Sequence, residues 1–338
     1  MNKHAHPSDL SCAIVLLFLV VMGCRESAKQ PDWTKAKKIA GFEQKLAHIS
    51  GLVIDEKVAY LTVGGNLADQ RRGLGGLRKV ALDWGEVTIL DDGKKDLPQS
   101  DLGGLAIDEK FIYWNVGGKI LRLAKERGQP ETIVSEDVGI GIDLAVDNEK
   151  IYWANHSYYS PNTPTKPSPI YVASKKGGKA EIFADQQKVP HDIVLDEKFL
   201  YWVTPTAILK QAKSGGLPQV VFQATDKEGV DELAQDGENL FFAFRGAGES
   251  RWALRKISKQ GGEPKTLAKT VTLGQVAIDD ANIYFFDEHN LNKDALCRVS
   301  KNGGEVARLD TGYSSGLIAQ SKTLIYFAAG DDLYSFPK

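Results

Sequence analysis

One phrase recurs seven times from residue 51 onward, and it fixes most of what this chain can fold into. Its copies are GLVIDEKVAYL at 51, GLAIDEKFIYW at 104, DLAVDNEKIYW at 143, DIVLDEKFLYW at 192, ELAQDGENLFF at 232, QVAIDDANIYF at 275 and GLIAQSKTLIYF at 316. The turn position holds Asp55, Asp108, Asp147, Asp196, Asp236, Asp279 and, in the last copy, Gln320. Successive spacings of these residues are 53, 39, 49, 40, 43 and 41. A near-constant period of this size marks one supersecondary unit stacked against copies of itself.

Each phrase reads as two strands joined by a tight turn. An apolar run such as Leu105-Ala106-Ile107 comes first. The Asp that follows favours a turn, because its carboxylate accepts bonds from N–H groups just downstream. The next run is β-branched and aromatic, as in Phe111-Ile112-Tyr113-Trp114, and is apolar at every position. It predicts a strand buried on both faces. A third strand, a glycine turn and a fourth strand follow, clearest at Ile120–Leu123 and Thr132–Val134. The glycine turns are Lys176-Gly177-Gly178, Ser214-Gly215-Gly216, Gln260-Gly261-Gly262 and Asn302-Gly303-Gly304, with a looser version at Trp84-Gly85. Glycine and Asn supply the positive φ of tight hairpins. The unit is a four-stranded antiparallel meander, and radial repetition of such units is a β-propeller.

The last unit stops at Lys338 after three strands, with no glycine turn. Upstream of the first repeat, Ala36–Ala40 has the pattern of a fourth strand and parallels Lys265–Ala268. The expectation is therefore an all-β, seven-bladed propeller over residues 35–338, whose last blade is closed by the N-terminal strand. Six or eight blades are the alternative counts.

Tyr113-Trp114, Tyr152-Trp153 and Tyr201-Trp202 carry a family resemblance. The chain resembles YWTD-type propellers and bacterial propellers of uncharacterised function that share the phrase. It departs from YWTD at Asn115, Ala154 and Val203, which stand in place of Thr. YWTD domains also usually have six blades. The resemblance implies the fold and does not carry over receptor-like partner recognition.

The first residues read as an address. Ala13–Met22 is an unbroken apolar run, too short to span a bilayer and of the length of a signal-peptide core. Val21-Met22-Gly23-Cys24 follows and resembles the bacterial lipobox. The resemblance implies a signal peptide over 1–23, a lipidated Cys24, and a polar tether over 24–34. Arg25, rather than Asp, follows the Cys, which points to the outer membrane as the destination of this envelope lipoprotein.

Composition excludes several classes. Lys plus Arg number 42 against 44 Asp plus Glu, so no basic excess argues for nucleic acid. Three Cys, two of them before residue 25, exclude a disulfide framework and a cysteine metal site. The expected propeller is a monomeric domain.

The residues that open each inner strand should face the channel mouth. They are Gly51, Gly104, Asp143, Asp192, Glu232, Gln275 and Gly316, with His191 and Asp231 beside them. Carboxylates from three consecutive blades, Asp143, Asp192 and Glu232, could hold Ca²⁺ or another hard cation, or bind a cationic or hydroxylated ligand. No other cofactor is expected, and a hydrated acidic channel is the alternative. Insertions gather on the same face, at 64–76, 91–100, 155–169, 245–251 and 287–294. Insertions on one face mark a binding face. Asn155, Tyr158 and Tyr159 in the third-blade insertion are candidate ligand contacts. No catalytic residue is assigned. His48, His156, His191 and His289 fit no metal or nucleophile spacing, and only the His191-Asp192 pair merits testing as base or ligand. The expected role is a non-enzymatic scaffold that binds an envelope protein or small molecule. A metal-assisted hydrolase or lyase at the acidic mouth and a purely structural component are the alternatives.

Overall fold

In the computed structural model the described residues are 36–41, 49–63, 76–91, 102–116, 118–126, 128–135, 141–155, 167–269, 274–290, 293–310, 316–329 and 332–338. They form seven four-stranded antiparallel sheets and no helix. The inner strands are Ile49–Asp55, Leu102–Ile107, Gly141–Val146, His191–Leu195, Gly229–Gln235, Ala277–Ile278 and Ile318–Gln320. Each packs beside the next, and the last packs beside the first, which closes a ring. This is a seven-bladed β-propeller.

The closure is as expected. Blade seven consists of Ile318–Gln320, Leu324–Ala329 and Asp332–Pro337, with Lys37–Gly41 as its outer strand. Lys37 pairs with Ser335 and Gly41 with Asp332. The first and last strands of the propeller thus share one sheet, and that ladder ties the two ends of the ring together.

The second strands form the core layer because the all-apolar runs are buried on both faces. Trp114, Trp153 and Trp202 are fully buried, as are Phe241, Phe242, Phe285 and Phe286. Each such side chain contributes on the order of 2–3 kcal/mol of transfer free energy. The core lies between blades: Tyr60 and Leu77 of blade one pack with Ile112, Trp114 and Leu121 of blade two.

The turn Asp does two jobs. Asp108 Oδ1 accepts the N–H groups of Lys110 and Phe111, and its Oδ2 accepts the Tyr113 hydroxyl at 2.8 Å. A lysine from the next blade then reaches the same carboxylate. These pairs are Asp55–Lys125, Asp108–Lys175, Asp147–Lys213, Asp196–Lys259, Asp236–Lys301 and Asp279–Lys338. Burial works against the Asp108 charge, but the bonds from Lys175, the two backbone N–H groups and Tyr113 outweigh it and lower the carboxyl to about 2.

Two local expectations are corrected. The turn residue of the last unit is Ser321, not Gln320. Its hydroxyl accepts the N–H groups of Thr323 and Leu324, and its own N–H bonds the Leu324 carbonyl as Asp108's bonds that of Phe111. The last copy of the phrase carries one extra letter, and hydrogen bonding rather than letter count sets the turn. The stretch 287–294 is not a loop insertion but the end of a long hairpin, Asn282–Asn290 with Lys293–Ser300. Asp287 is buried there and pairs with Arg308 from the outer strand, which holds the extension together.

Candidate functional site

The alternation of strand direction places the start of every inner strand on one face, with the connections between second and third strands and between blades. The two tight turns of each blade lie on the other face. In blades one to five the inner strand is irregular at its start. Register shifts fall between Ile49 and Gly51, Gly103 and Leu105, Gly141 and Asp143, His191 and Val194, and Asp231 and Leu233. A bulge re-aims the side chains beside it, and Asp143, Asp192 and Glu232 each stand at or within one of these shifts.

Three consecutive blades meet there. Asp143 of blade three accepts the Asp192 backbone N–H of blade four at 2.7 Å through Oδ2. His191 Nε2 lies 3.0 Å from Asp231 Oδ1 of blade five. His191 Nδ1 lies 2.9 Å from the Val189 carbonyl oxygen, which makes Nδ1–H the donor and fixes the ring. Asp231 Oδ1 also accepts the Glu232 N–H at 3.0 Å. One ligand atom from each of His191, Asp192 and Asp231 falls within 4.8 Å of the others.

The backbone is strained at this place. Five non-glycine described residues have positive φ: Glu56, Gln186, Val189, Asp192 and Glu232. Asp192 at 46° and Glu232 at 49° are in the cluster, and Val189 at 47° carries the carbonyl that fixes His191. A β-branched residue in this region is a rare and costly state. It is rarer still immediately before a proline, Pro190.

The electrostatics follow from crowding. Burial raises the Asp192 carboxyl to about 8, with the Asp143 charge adding to it and His191 opposing. Burial also raises Glu232 well above the usual carboxylate range, helped by Asp192, Asp231 and Asp143. For His191 burial opposes the charge, but the bond to Asp231 and the Asp192 charge outweigh it and raise the imidazole to about 9. At neutral pH the cluster therefore holds protons that isolated carboxylic acids would release.

Asp143, His191, Asp192, Asp231 and Glu232 come together as the sequence predicts. Gln275 does not join them. Its Oε1 accepts the Ile318 N–H at 3.1 Å and joins blade six to blade seven. The tightest possible ligand set also differs from the expected Asp143, Asp192 and Glu232, because the bulges bring His191 and Asp231 into the set instead. Asn155 closes the second strand of blade three opposite Gly141. Tyr158, Tyr159, Cys24 and the insertions at 64–75, 92–100 and 156–166 lie outside the described residues. Val189 was not legible as a site residue; its one sequence signal is the Pro that follows it. On the opposite face a cavity of about 550 Å³ opens between blades four and five, but its walls include the Asp196–Lys259 pair, which is structural.

No protein-family model matches the chain, and no curated protein matches it. Solved structures do. Virginiamycin B lyase from Staphylococcus aureus superposes with a TM-score of 0.68 at 16% identity, over 90% of this chain and 99% of that one. An oligogalacturonate lyase in complex with manganese gives 0.64 at 14%, over 89% of each chain. Oligogalacturonate lyase from Vibrio parahaemolyticus gives 0.65 at 9%, over 89% of this chain and 96% of that one. What they share with this chain is the fold.

Proposed function

We propose that this chain is a lipid-anchored envelope protein whose propeller binds a ligand at the channel mouth through a divalent cation held by His191, Asp192 and Asp231. The observation that carries this reading is the coincidence of strain and charge: Val189, Asp192 and Glu232 hold left-handed backbone around a cluster of mutually repelling carboxyl groups. Neither feature stabilises the fold, and such costs gather at functional sites. A cation relieves the repulsion. The Val189 carbonyl holds the proton on Nδ1, so Nε2 is the nitrogen a metal would take, displacing the proton that it shares with Asp231. A nitrogen beside carboxylate oxygens favours Mn²⁺ or Zn²⁺ over Ca²⁺. The anchor rests on the sequence around Cys24.

Titrating the full-length protein with Mn²⁺, read by electron paramagnetic resonance, tests the site. One ion per chain is expected, with at least about tenfold weaker binding in Asp192→Asn and His191→Ala. Equal binding in both variants would remove the reading.

A second reading is elimination chemistry at the same mouth. His191 becomes the base once it loses the Nε2 proton that it shares with Asp231, and an Asp192 carboxyl still protonated near neutral pH can give its proton to a leaving oxygen. The three fold neighbours named above are lyases. Incubation with uronate-containing oligosaccharides, followed by the ultraviolet absorbance of an unsaturated product, separates the two. Mn²⁺ binding without product leaves the scaffold reading standing.

A further inference from the structure

The direction of the closing strand sets the face by which the chain enters the propeller. The third strand of blade seven, Asp332–Pro337, runs from the channel face to the turn face. Lys37–Gly41 pairs antiparallel to it, so Lys37 lies toward the turn face and Gly41 toward the channel face. Lys37, the first residue of the closing strand, therefore stands on the side opposite the acidic cluster.

The same corner carries an unusual turn. In blade one Gly85 N–H bonds the Ala81 carbonyl, whereas Gly177, Gly215, Gly261 and Gly303 bond Ser174, Ala212, Ser258 and Ser300, one residue closer. The added residue is Trp84. Trp84 is 72% exposed, while the sister turns present Lys176, Ser214, Gln260 and Asn302 before their glycines. Val87 and Ile89, 37% and 61% exposed, continue from it along the outer strand. The turn sits directly on the closing strand, because Gly85 approaches the Ile39 carbonyl so closely that a Cβ would collide with it. Lys37 and Lys38 are exposed beside it.

We infer that this corner, Trp84 with Val87 and Ile89, rests in the headgroup layer of the membrane, so that the turn face looks at the bilayer and the channel mouth looks away. The inference depends on the Cys24 anchor proposed above. Residues 25–36 are all that separates that Cys from Lys37, a reach of at most about 43 Å. Exposed Trp is the side chain that favours the bilayer interface, and Lys37 beside it suits anionic headgroups, while Lys38 pairs with Asp332. Trp84 is held to its own turn only through Nε1–H, which donates to Glu86 Oε2 at 3.3 Å, and it stands beside the end of the closing strand that bears Lys37.

The test uses the full-length lipidated protein in phosphatidylethanolamine–phosphatidylglycerol vesicles that carry a lipid spin-labelled near the headgroup. Trp33 lies in the tether, so the background is Trp33→Phe. Trp114, Trp153 and Trp202 are buried, and Trp252 is half-buried at the channel-face start of Ala253–Ser258, so all four are expected to stay unquenched. Fluorescence quenching is expected, and it is expected to be lost on adding Trp84→Phe. Quenching that survives Trp84→Phe would overturn the inference, and so would its absence in a chain that incorporates labelled palmitate at Cys24. A lipid-free blue shift of Trp84 emission with rising protein concentration would also overturn it and assign the corner to a second copy. If no palmitate is incorporated and the chain does not float with vesicles, the anchor itself has failed, and the orientation with it. Thermal unfolding of Trp84→Phe, expected to be unchanged, separates these outcomes from misfolding.

Discussion

Lys259 Nζ lies 3.0 Å from Asp196 Oδ2 and ties blade five to the hairpin turn of blade four. The lysine is nearly buried, at 7% side-chain exposure, and its nitrogen lies 5.3 Å from the Tyr201 ring centroid. Repeated at six of the seven blade junctions, this contact fixes the angular step of the ring, because an Asp already locked by its own turn can accept the lysine from one direction only.

Removing one partner leaves the other partly buried and uncompensated. Lys259→Met is expected to cost about 1–3 kcal/mol, less than a fully buried pair because Asp196 keeps some solvent. Burial works against the Asp196 charge, but the N–H groups of Phe199 and Lys198, then Lys259 and Tyr201, lower the carboxyl to about 2. A depressed carboxyl contributes stability that is present above the unfolded value of about 4 and is lost as pH falls through about 2. Denaturant unfolding measured from pH 5 to pH 2 should therefore fall more steeply for the wild type than for Lys259→Met. Parallel curves would show that the ion pair is not what lowers Asp196.

The seventh junction is built differently. Ser321 stands where the other blades have Asp. Leu82, whose N–H bonds the Lys57 carbonyl as that of Lys125 bonds Lys110's, stands where the others have Lys. Leu82 packs instead with Tyr326, Ala328 and Leu333. Ser321→Asp alone should destabilise by about 1–3 kcal/mol, since it adds a carboxylate without its lysine. Ser321→Asp with Leu82→Lys should recover part of that loss, giving a favourable coupling in a double-mutant cycle. Additive losses would mean that the two positions do not face each other.

How much of this was legible follows from what kind of information each feature needs. The blade count and the closure by Lys37–Gly41 could be read because continuous apolar runs followed or preceded by turn residues are local signals repeated along the chain. The convergence of Asp143, Asp192 and Glu232 followed from their shared place in the repeat. The left-handed backbone at Asp192 and Glu232 could not be read, since neither is Gly or Asn and the bulge depends on pairing with the second strand. Nor could the reach of His191 to Asp231, which spans two blades and is set by the Val189 carbonyl. Ser321 was displaced by one position because letter spacing cannot see which N–H groups a turn residue accepts.

Closure can be tested at one atom. Gly85 has φ +76°, and a Cβ there would collide with the Ile39 carbonyl oxygen of the closing strand. Gly85→Ala must either strain the turn or push the strand off blade seven. The expected cost is about 2 kcal/mol or more, and the thermal midpoint should drop with it. Gly262→Ala also has positive φ, at +110°, but nothing lies within 4 Å, so it carries the backbone term without the collision and should cost less. Equal losses would mean that contact with the closing strand adds nothing.

The acidic mouth should make the fold weaker as pH rises, the reverse of the Asp–Lys junctions. The Asp192 carboxyl is raised by burial and by Asp143 to about 8. A raised carboxyl contributes stability that is fully present below the unfolded value of about 4 and is lost as pH climbs through the folded value. Asp192→Asn removes that titration and keeps the site's shape, since Asn tolerates the left-handed backbone at φ 46° as well as Asp does. The variant and the wild type should therefore unfold alike near pH 4, and the variant should be the more stable of the two at pH 8 to 9. His191, raised to about 9 chiefly through Asp231 and Asp192 against its burial, loses its own contribution over a higher window, and in Asp192→Asn it is raised less because the Asp192 charge is gone. Saturating Mn²⁺ should close the gap from the other side, because a bound ion favours the ionised Asp192 and stabilises only the wild type. A variant no more stable than the wild type at pH 8 without metal would show that the Asp192 carboxyl is already ionised at no cost, and that the crowding of Asp143, Asp192, Asp231 and Glu232 is relieved by solvent.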